Sequence, residues 1–288
     1  MMKHLHQVLK YFPEELKDCI LSKSYIAPPE EIRIRRGKHI HIYAIGTETQ
    51  TPYIAGDQLM QGILDRVTQR SPYAVADMLR CGFLILPGGH RVGVCGTGVY
   101  KDGSIRTLRD ISSLNFRIAR QINGVATESA REIWKQQQST LLIGPPCSGK
   151  TTMLRDLIRQ LSDRFCQRIA VIDERMELAA CVNGEMQFHL GNRTDILSGT
   201  QKAEGIELVL RSMSPFWIAL DEITAYKDVE AMISASYSGV KFLATAHAEE
   251  SQDLYSRPIY RRLMEEGVFR TIILLDQRKK ATLQVLSA

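Results

Sequence analysis

The chain has 288 residues, 44% hydrophobic and 24% charged, values that exclude wholesale disorder and allow a sizeable core in one large or two modest domains. No apolar run approaches the roughly 18–20 residues that span a bilayer, and residues 1–12 lack the apolar core and cleavage site of a secretory signal. The net charge of +5 is uneven: residues 1–125 carry 17 Lys/Arg against 11 Asp/Glu, residues 126–288 carry 20 against 21, so the excess positive charge is N-terminal, where it suits an anionic partner or a solvated surface.

Two helical stretches open the chain, residues 3–11 and 13–26. Pro13 suits a first helical turn and Pro28-Pro29 stops the pattern. Residues 31–34 and 40–45 alternate apolar and polar side chains, the period of a half-buried strand, with Gly37-Lys38 as the turn. Residues 57–69 place Leu59, Ile63, Leu64 and Val67 on one helical face, and residues 73–80 read as another helix closed by Gly82. Strands are expected at 83–86, 91–99 and 115–119. These elements predict an α+β domain with an antiparallel sheet over residues 1–123.

From residue 124 the pattern alternates: a helix from 127, strand 140–143, helix from 149, strand 169–172, helix 204–213, strand 216–220, helix 227–238 and strand 241–245. That alternation predicts βαβ units and a mostly parallel sheet over residues 124–288, an α/β class. Asn183-Gly184 is a hairpin-turn signal, and residues 270–275 and 281–286 read as two further strands. The six cysteines, at 19, 81, 95, 147, 166 and 181, form no CxxC pair and no zinc-type spacing. They are expected as buried thiols in a reducing compartment.

The segment Gly144-Pro145-Pro146-Cys147-Ser148-Gly149-Lys150-Thr151 fits GxxxxGK[ST] at every fixed position. An apolar strand leads in and an amphipathic helix leads out. Glycines let backbone amides face phosphate oxygens, and the helix N-terminus adds a positive dipole end. Lys150 is expected on the β and γ phosphates of ATP and Thr151 on Mg²⁺. Residues 144–151, with Thr152 after them, are the candidate nucleotide contacts.

Seventy residues on, the apolar strand Phe216-Trp-Ile-Ala-Leu ends in Asp221-Glu222. Asp221 can hold Mg²⁺ through water, and Glu222 can orient or deprotonate the attacking water. Between these motifs, Ile169-Ala-Val-Ile runs into Asp173-Glu174-Arg-Met-Glu177, a second acidic strand end facing the ligand crevice of a parallel sheet. Asp173 is a further metal candidate, and Glu174 and Glu177 rival Glu222 as base. Two acidic strand ends flanking one phosphate loop suggest a P-loop class with an inserted central strand. Thr245-Ala-His247 ends another strand and could sense the γ-phosphate.

These four segments, in this order, resemble the secretion ATPase superfamily, the hexameric motors of type II and type IV secretion and of type IV pili. Residues 172–178 look like its Asp box with the first two acids exchanged, residues 210–223 like its Walker B region, and Thr245-Ala-His247-Ala248 like its His box. Asp221 stands where that family often has Gly, and Thr224 where it has Arg. The N-terminal segments 31–37 and 114–120 are similar to strands of the PAS-like domain that closes over nucleotide in those motors. The resemblance implies a RecA-like ATPase domain behind a smaller N-terminal domain, a hexameric ring, and a nucleotide clamp completed by Arg117, Arg120 or Arg211. It also implies a catalytic part for His247. Arg80-Cys-Gly-Phe-Leu, Lys202-Ala-Glu-Gly205 and Arg211-Ser-Met-Ser-Pro215 further resemble the stage III sporulation branch of endospore-forming bacteria. That branch implies membrane channel proteins of the sporulation secretion apparatus as partners, at the cytoplasmic face of the mother-cell membrane.

A nucleic-acid-binding ATPase is the alternative. No RNP, KH or zinc motif is present and few aromatics interleave with the basic residues, so nucleic acid is not expected as a partner. A nucleotide-binding scaffold without turnover is disfavoured by the joint presence of Lys150, Thr151, Asp221 and Glu222.

Overall fold

The computed structural model describes residues 3–69, 76 and 79–286; most of the helix expected over 73–80 lies outside them. The chain divides into two compact units. The first is Met1–Arg120 with Val182–Gln187, the second Gln121–Cys181 with Phe188–Ala288.

Unit one is a six-stranded sheet in the order β3-β2-β1-β6-β5-β4, from β1 (Glu31–Arg35), β2 (His39–Ala44), β3 (Thr47–Ile54), β4 (Phe83–Leu86), β5 (His90–Lys101) and β6 (Ser104–Arg117). All neighbours are antiparallel. The period-two pattern buries one face: Ile32, Ile34, Ile40, Ile42, Leu114 and Phe116 have no or almost no exposure. They share a core with Leu5 and Leu9 of α1 (Lys3–Leu9), Leu16 of α2 (Glu14–Leu21), and Met60 and Ile63 of α3 (Asp57–Val67). Each such buried aliphatic or aromatic side chain contributes about 1.5–3 kcal/mol.

The sheet exceeds the sequence expectation in two places. Strand β3, reading TETQTPYI, has no apolar alternation because it is an edge strand with little to bury. It is reached through Ile45-Gly46, both at positive φ, the twist a two-residue hairpin needs. Strand β6 starts at Ser104 rather than 115, because Asp102-Gly103, again both at positive φ, fold β5 directly back.

Unit two holds a seven-stranded sheet in the order β13-β12-β7-β11-β10-β8-β9. Its strands are β7 (Thr140–Ile143), β8 (Ile169–Asp173), β9 (Thr194–Ser198), β10 (Trp217–Leu220), β11 (Lys241–Ala246), β12 (Thr271–Leu275) and β13 (Ala281–Val285). All pairs are parallel except β12–β13. Strands buried on both faces read as continuous apolar runs, and alternate residues enter two separate cores. Leu141, Ile172, Ile218 and Phe242 pack with α6 (Lys202–Met213), α7 (Tyr226–Ser236) and the helix Pro258–Glu265. Leu142, Val171, Trp217 and Leu243 pack with α4 (Thr127–Gln136) and α5 (Lys150–Asp163).

Asn183-Gly184 makes the expected hairpin turn: Val182 and Glu185 exchange both backbone hydrogen bonds in an isolated antiparallel bridge, with no longer strand on either side among the described residues. The edge strand β9 and the helices Asp253–Ser256 and Pro258–Glu265 were not expected. The cysteines are free, but Cys81, Cys95, Cys147 and Cys166 are exposed and Cys19 and Cys181 only half-buried, so none is the buried thiol anticipated.

The strand order also corrects the placement of the acidic strands. The strand inserted between β7, which feeds the phosphate loop, and β10, which ends at Asp221, is β11. Strand β8 lies beyond β10, so both acidic ends fall on one side of the phosphate loop instead of flanking it. At roughly 4.8 Å per strand spacing, the end of β8 is about 14 Å from β7.

Candidate active site

The loop between β7 and α5 needs backbone that only certain residues tolerate. Gly144 has φ +155 and Gly149 φ +95. A Cβ on Gly144 would stand 2.4 Å from the Leu275 carbonyl and 2.7 Å from Ser148 Oγ, so the loop closes only with glycine there. Cys147, at φ 63, occupies an exposed crest. Ser148 is buried and its Oγ has no hydrogen-bond partner among the described residues.

Lys150 is 7% exposed. Its Nζ donates to the carbonyls of Gly144 (2.8 Å) and Pro145 (2.9 Å) and meets His247 Nδ1 at 3.2 Å. Burial lowers its pKa from the ordinary lysine value, while Asp221 and Glu222 pull it back up. Thr151 Oγ1 donates to Asp221 Oδ2 at 2.9 Å. The other oxygen of Asp221 accepts from Thr245 Oγ1, and that hydroxyl in turn accepts the Glu222 N–H at 2.8 Å. One threonine at the end of β11 thus fixes both acids at the end of β10. It can do so only because β11 is the inserted strand.

Glu222 sits at φ 52, turned out of the strand. Its Oε1 lies 2.8 Å from His247 Nε2 and its Oε2 is ion-paired with Arg175. The tautomer of His247 that satisfies both Lys150 and Glu222 carries its proton on Nε2. Lys150, Thr151, Asp221, Glu222, Thr245 and His247 therefore form one connected cluster.

Other sequence candidates are used differently. Asp173, expected on a metal, is buried at 2% exposure. Its Oδ1 accepts the N–H groups of Glu177 (2.8 Å) and Leu178 (3.0 Å), and its Oδ2 that of Ala179 (2.8 Å). Burial raises its pKa against those hydrogen bonds. Its oxygens organise the turn after β8, and the strand order keeps it away from Thr151. Glu174, expected as a rival base, is ion-paired with Lys202, itself 2% exposed at the start of α6. Arg211 lies exposed in the last turn of α6, over the Glu207 carbonyl at 3.4 Å. Arg117 is exposed at the end of β6. Arg120 donates to the carbonyls of Pro28 (2.9 Å) and Pro29 (2.8 Å), a backbone brace inside unit one. Arg211, in the same unit as the cluster, makes no hydrogen bond or ion pair to it among the described residues.

Two residues were missed. Arg175 holds Glu222, and nothing in its local sequence marks it beyond its position among acids. Arg155, 8% exposed, donates to the carbonyls of Leu178 (2.9 Å) and Glu177 (2.8 Å) and lies over the Phe188 ring. Its signal was legible: α5 is buried almost all round, so an arginine between Leu154 and Asp156 needs a buried partner.

Residues 4–286 match the family described as "Sporulation stage III, protein AA". The chain belongs to that family. It is 34% identical over 282 residues to the Stage III sporulation protein AA of Bacillus subtilis (strain 168), covering 96% of this chain and 92% of that one. Among solved structures it resembles the pilus retraction motor PilT with bound ADP, at a TM-score of 0.63 and 15% identity, over 96% of this chain and 83% of that one. The Legionella pneumophila ATPase DotB gives a TM-score of 0.58 and 16% identity over 88% and 75%. At such identities the likeness is one of fold, and the fold is that of the RecA-like secretion and retraction ATPases.

Proposed function

We propose that this sporulation-family protein hydrolyses ATP and uses the energy on a membrane channel complex between mother cell and forespore, working as a homo-oligomeric ring. The observation that carries the reading is the junction of the phosphate loop with both acids of β10: Thr151 on Asp221, and Lys150 linked through His247 to Glu222.

The residues fit a nucleotide with Mg²⁺. The loop has a buried, unpartnered Ser148 hydroxyl and a glycine cradle that a Cβ would fill. Thr151 and Asp221 are hard oxygen donors. No cluster of three or more His, Cys, Asp or Glu forms a metal cage among the described residues, and Mg²⁺ held by phosphates, one hydroxyl and a water-bridged carboxylate needs none. When bound, the ion would neutralise charge on the β and γ phosphates. Lys150 would exchange its two loop carbonyls for phosphate oxygens. Glu222 would accept the proton of the attacking water. Asp221 and Thr245 keep that carboxylate's backbone in place. Glu222 is favoured over Glu174 as base because it is joined to Lys150 of the loop through His247, whereas Glu174 is paired with Lys202 outside that cluster.

No helix among the described residues is long and apolar enough to cross a membrane. The proposal has the protein act at the cytoplasmic face through protein partners. The test is phosphate release by the purified protein and by Lys150→Ala and Glu222→Gln. The reading expects Lys150→Ala to lose nucleotide binding or turnover, and Glu222→Gln to bind ATP without turning it over. Near-wild-type turnover by a folded Lys150→Ala protein would overturn it.

A further inference from the structure

The ion pair between Arg175 and Glu222 joins the turn after β8 to the acid at the end of β10. Arg175 does not hang from a loose loop. The turn that carries it is fastened by the three backbone N–H groups on the Asp173 carboxylate, and by the Met176 and Gly199 N–H groups, which donate to the Asp173 carbonyl at 3.1 and 3.0 Å. Arg155 ties the same turn to α5, the helix that begins at the phosphate loop, through the carbonyls of Glu177 and Leu178. The base is therefore gripped by a guanidinium whose mount is built into the phosphate-loop framework.

The two oxygens of Glu222 are held differently. Oε2 faces Arg175 on this fixed mount. Oε1 faces His247, whose other ring nitrogen faces Lys150, the residue that must turn to phosphate when nucleotide enters. The His247 contact is coupled to a residue that must move, whereas the half-exposed Arg175 side chain rises from a turn whose backbone is fastened. Resting on the reading of Glu222 as the base, we propose that Arg175 is a positioning residue: it holds Oε2 and so presents Oε1 to the attacking water. Arg175 meets Oε2 through one guanidinium nitrogen, a permanently charged and weakly hydrated donor that a strongly hydrated lysine ammonium on a flexible stem replaces only in part.

The experiment uses the full chain. Steady-state kcat and KM for ATP are measured for wild type, Arg175→Ala, Arg175→Lys and Glu222→Gln. Binding of a fluorescent ATP analogue and nucleotide-free thermal midpoints are measured for the same proteins and for the Arg175→Ala/Glu222→Gln double variant. The proposal expects kcat of Arg175→Ala to fall tenfold or more with KM and analogue affinity within twofold. Arg175→Lys should recover only part of kcat, and the thermal midpoints should combine non-additively, as for residues in contact. If Glu222→Gln turns over like wild type, the base assignment fails and the proposal with it. If Glu222→Gln is inactive while Arg175→Ala or Arg175→Lys keeps full kcat, the proposal alone is overturned. It is equally overturned if the loss appears in KM and analogue affinity, or if the midpoints add.

Discussion

Thr151 and Asp221 stand 70 positions apart in sequence and 2.9 Å apart in space. The contact brings the first helical turn after the phosphate loop against the acid that ends β10, so the two residues proposed to hold Mg²⁺ lie within one hydrogen bond of each other. Asp221→Asn keeps the shape and one acceptor but removes the charge. It should lower turnover on the order of a hundredfold and raise the Mg²⁺ concentration needed for half-maximal phosphate release, with little change in the nucleotide-free thermal midpoint. A Mg²⁺ titration of phosphate release checks this; an unchanged half-saturation point would remove Asp221 from the metal site.

Asp173 should behave as a stability residue. Asp173→Asn replaces one acceptor oxygen with a donor and sets it against a backbone N–H, leaving at least one of three buried N–H groups unpaired. The expected cost is about 1–3 kcal/mol for each group left unsatisfied, read by chemical denaturation of the nucleotide-free protein. The Mg²⁺ dependence of the remaining activity should match wild type. Unchanged stability with a raised Mg²⁺ requirement would restore Asp173 as a metal ligand.

The ring reading makes a kinetic prediction. Lys150 is one cation, whereas the phosphoryl transition state spreads charge over three oxygens, so an arginine from another part of a ring is expected to complete the site. Specific activity should fall on dilution, and Arg117→Ala should lower turnover with little loss of ATP affinity. Arg120→Ala should instead destabilise unit one, because it removes the donor to the Pro28 and Pro29 carbonyls. Specific activity that stays flat on deep dilution, with Arg117→Ala fully active, rejects a ring-completed site.

His90 makes unit one acid-sensitive. Its Nδ1 accepts the Ala119 N–H at 3.1 Å and its Nε2 lies 3.2 Å from Gln7 Oε1, with no exposed surface. Burial, helped by the nearby His4 and Lys10, pushes its pKa down to about 4 from 6.5. The unfolded chain takes up a proton near pH 6.5 that the folded chain refuses. Stability from this residue is therefore whole above pH 6.5 and is lost as pH falls towards 4, by at most about 3 kcal/mol. Denaturation midpoints between pH 7.5 and 4 should fall more steeply for wild type than for His90→Gln; parallel slopes would refute it.

The phosphate loop, the two acids after Leu220, the Thr245–His247 strand end and the change from an antiparallel to a mostly parallel pattern were all legible in the sequence. Each is set by local chemistry: glycines where φ must be positive, apolar runs where a strand is buried on both faces, carboxylates at a strand end. Strand order is a different kind of fact, because β8 and β10 carry the same local pattern and either could neighbour β7. Only the packed sheet put β11 between β7 and β10, which brings Thr245 to Asp221 and Glu222 and removes Asp173 to the far side of β10. The uses of Glu174, Arg120, Arg155 and Arg175 were decided the same way. A charged side chain of three to six bonds can meet any of several partners, and which one it meets depends on what lies across the neighbouring strand or helix.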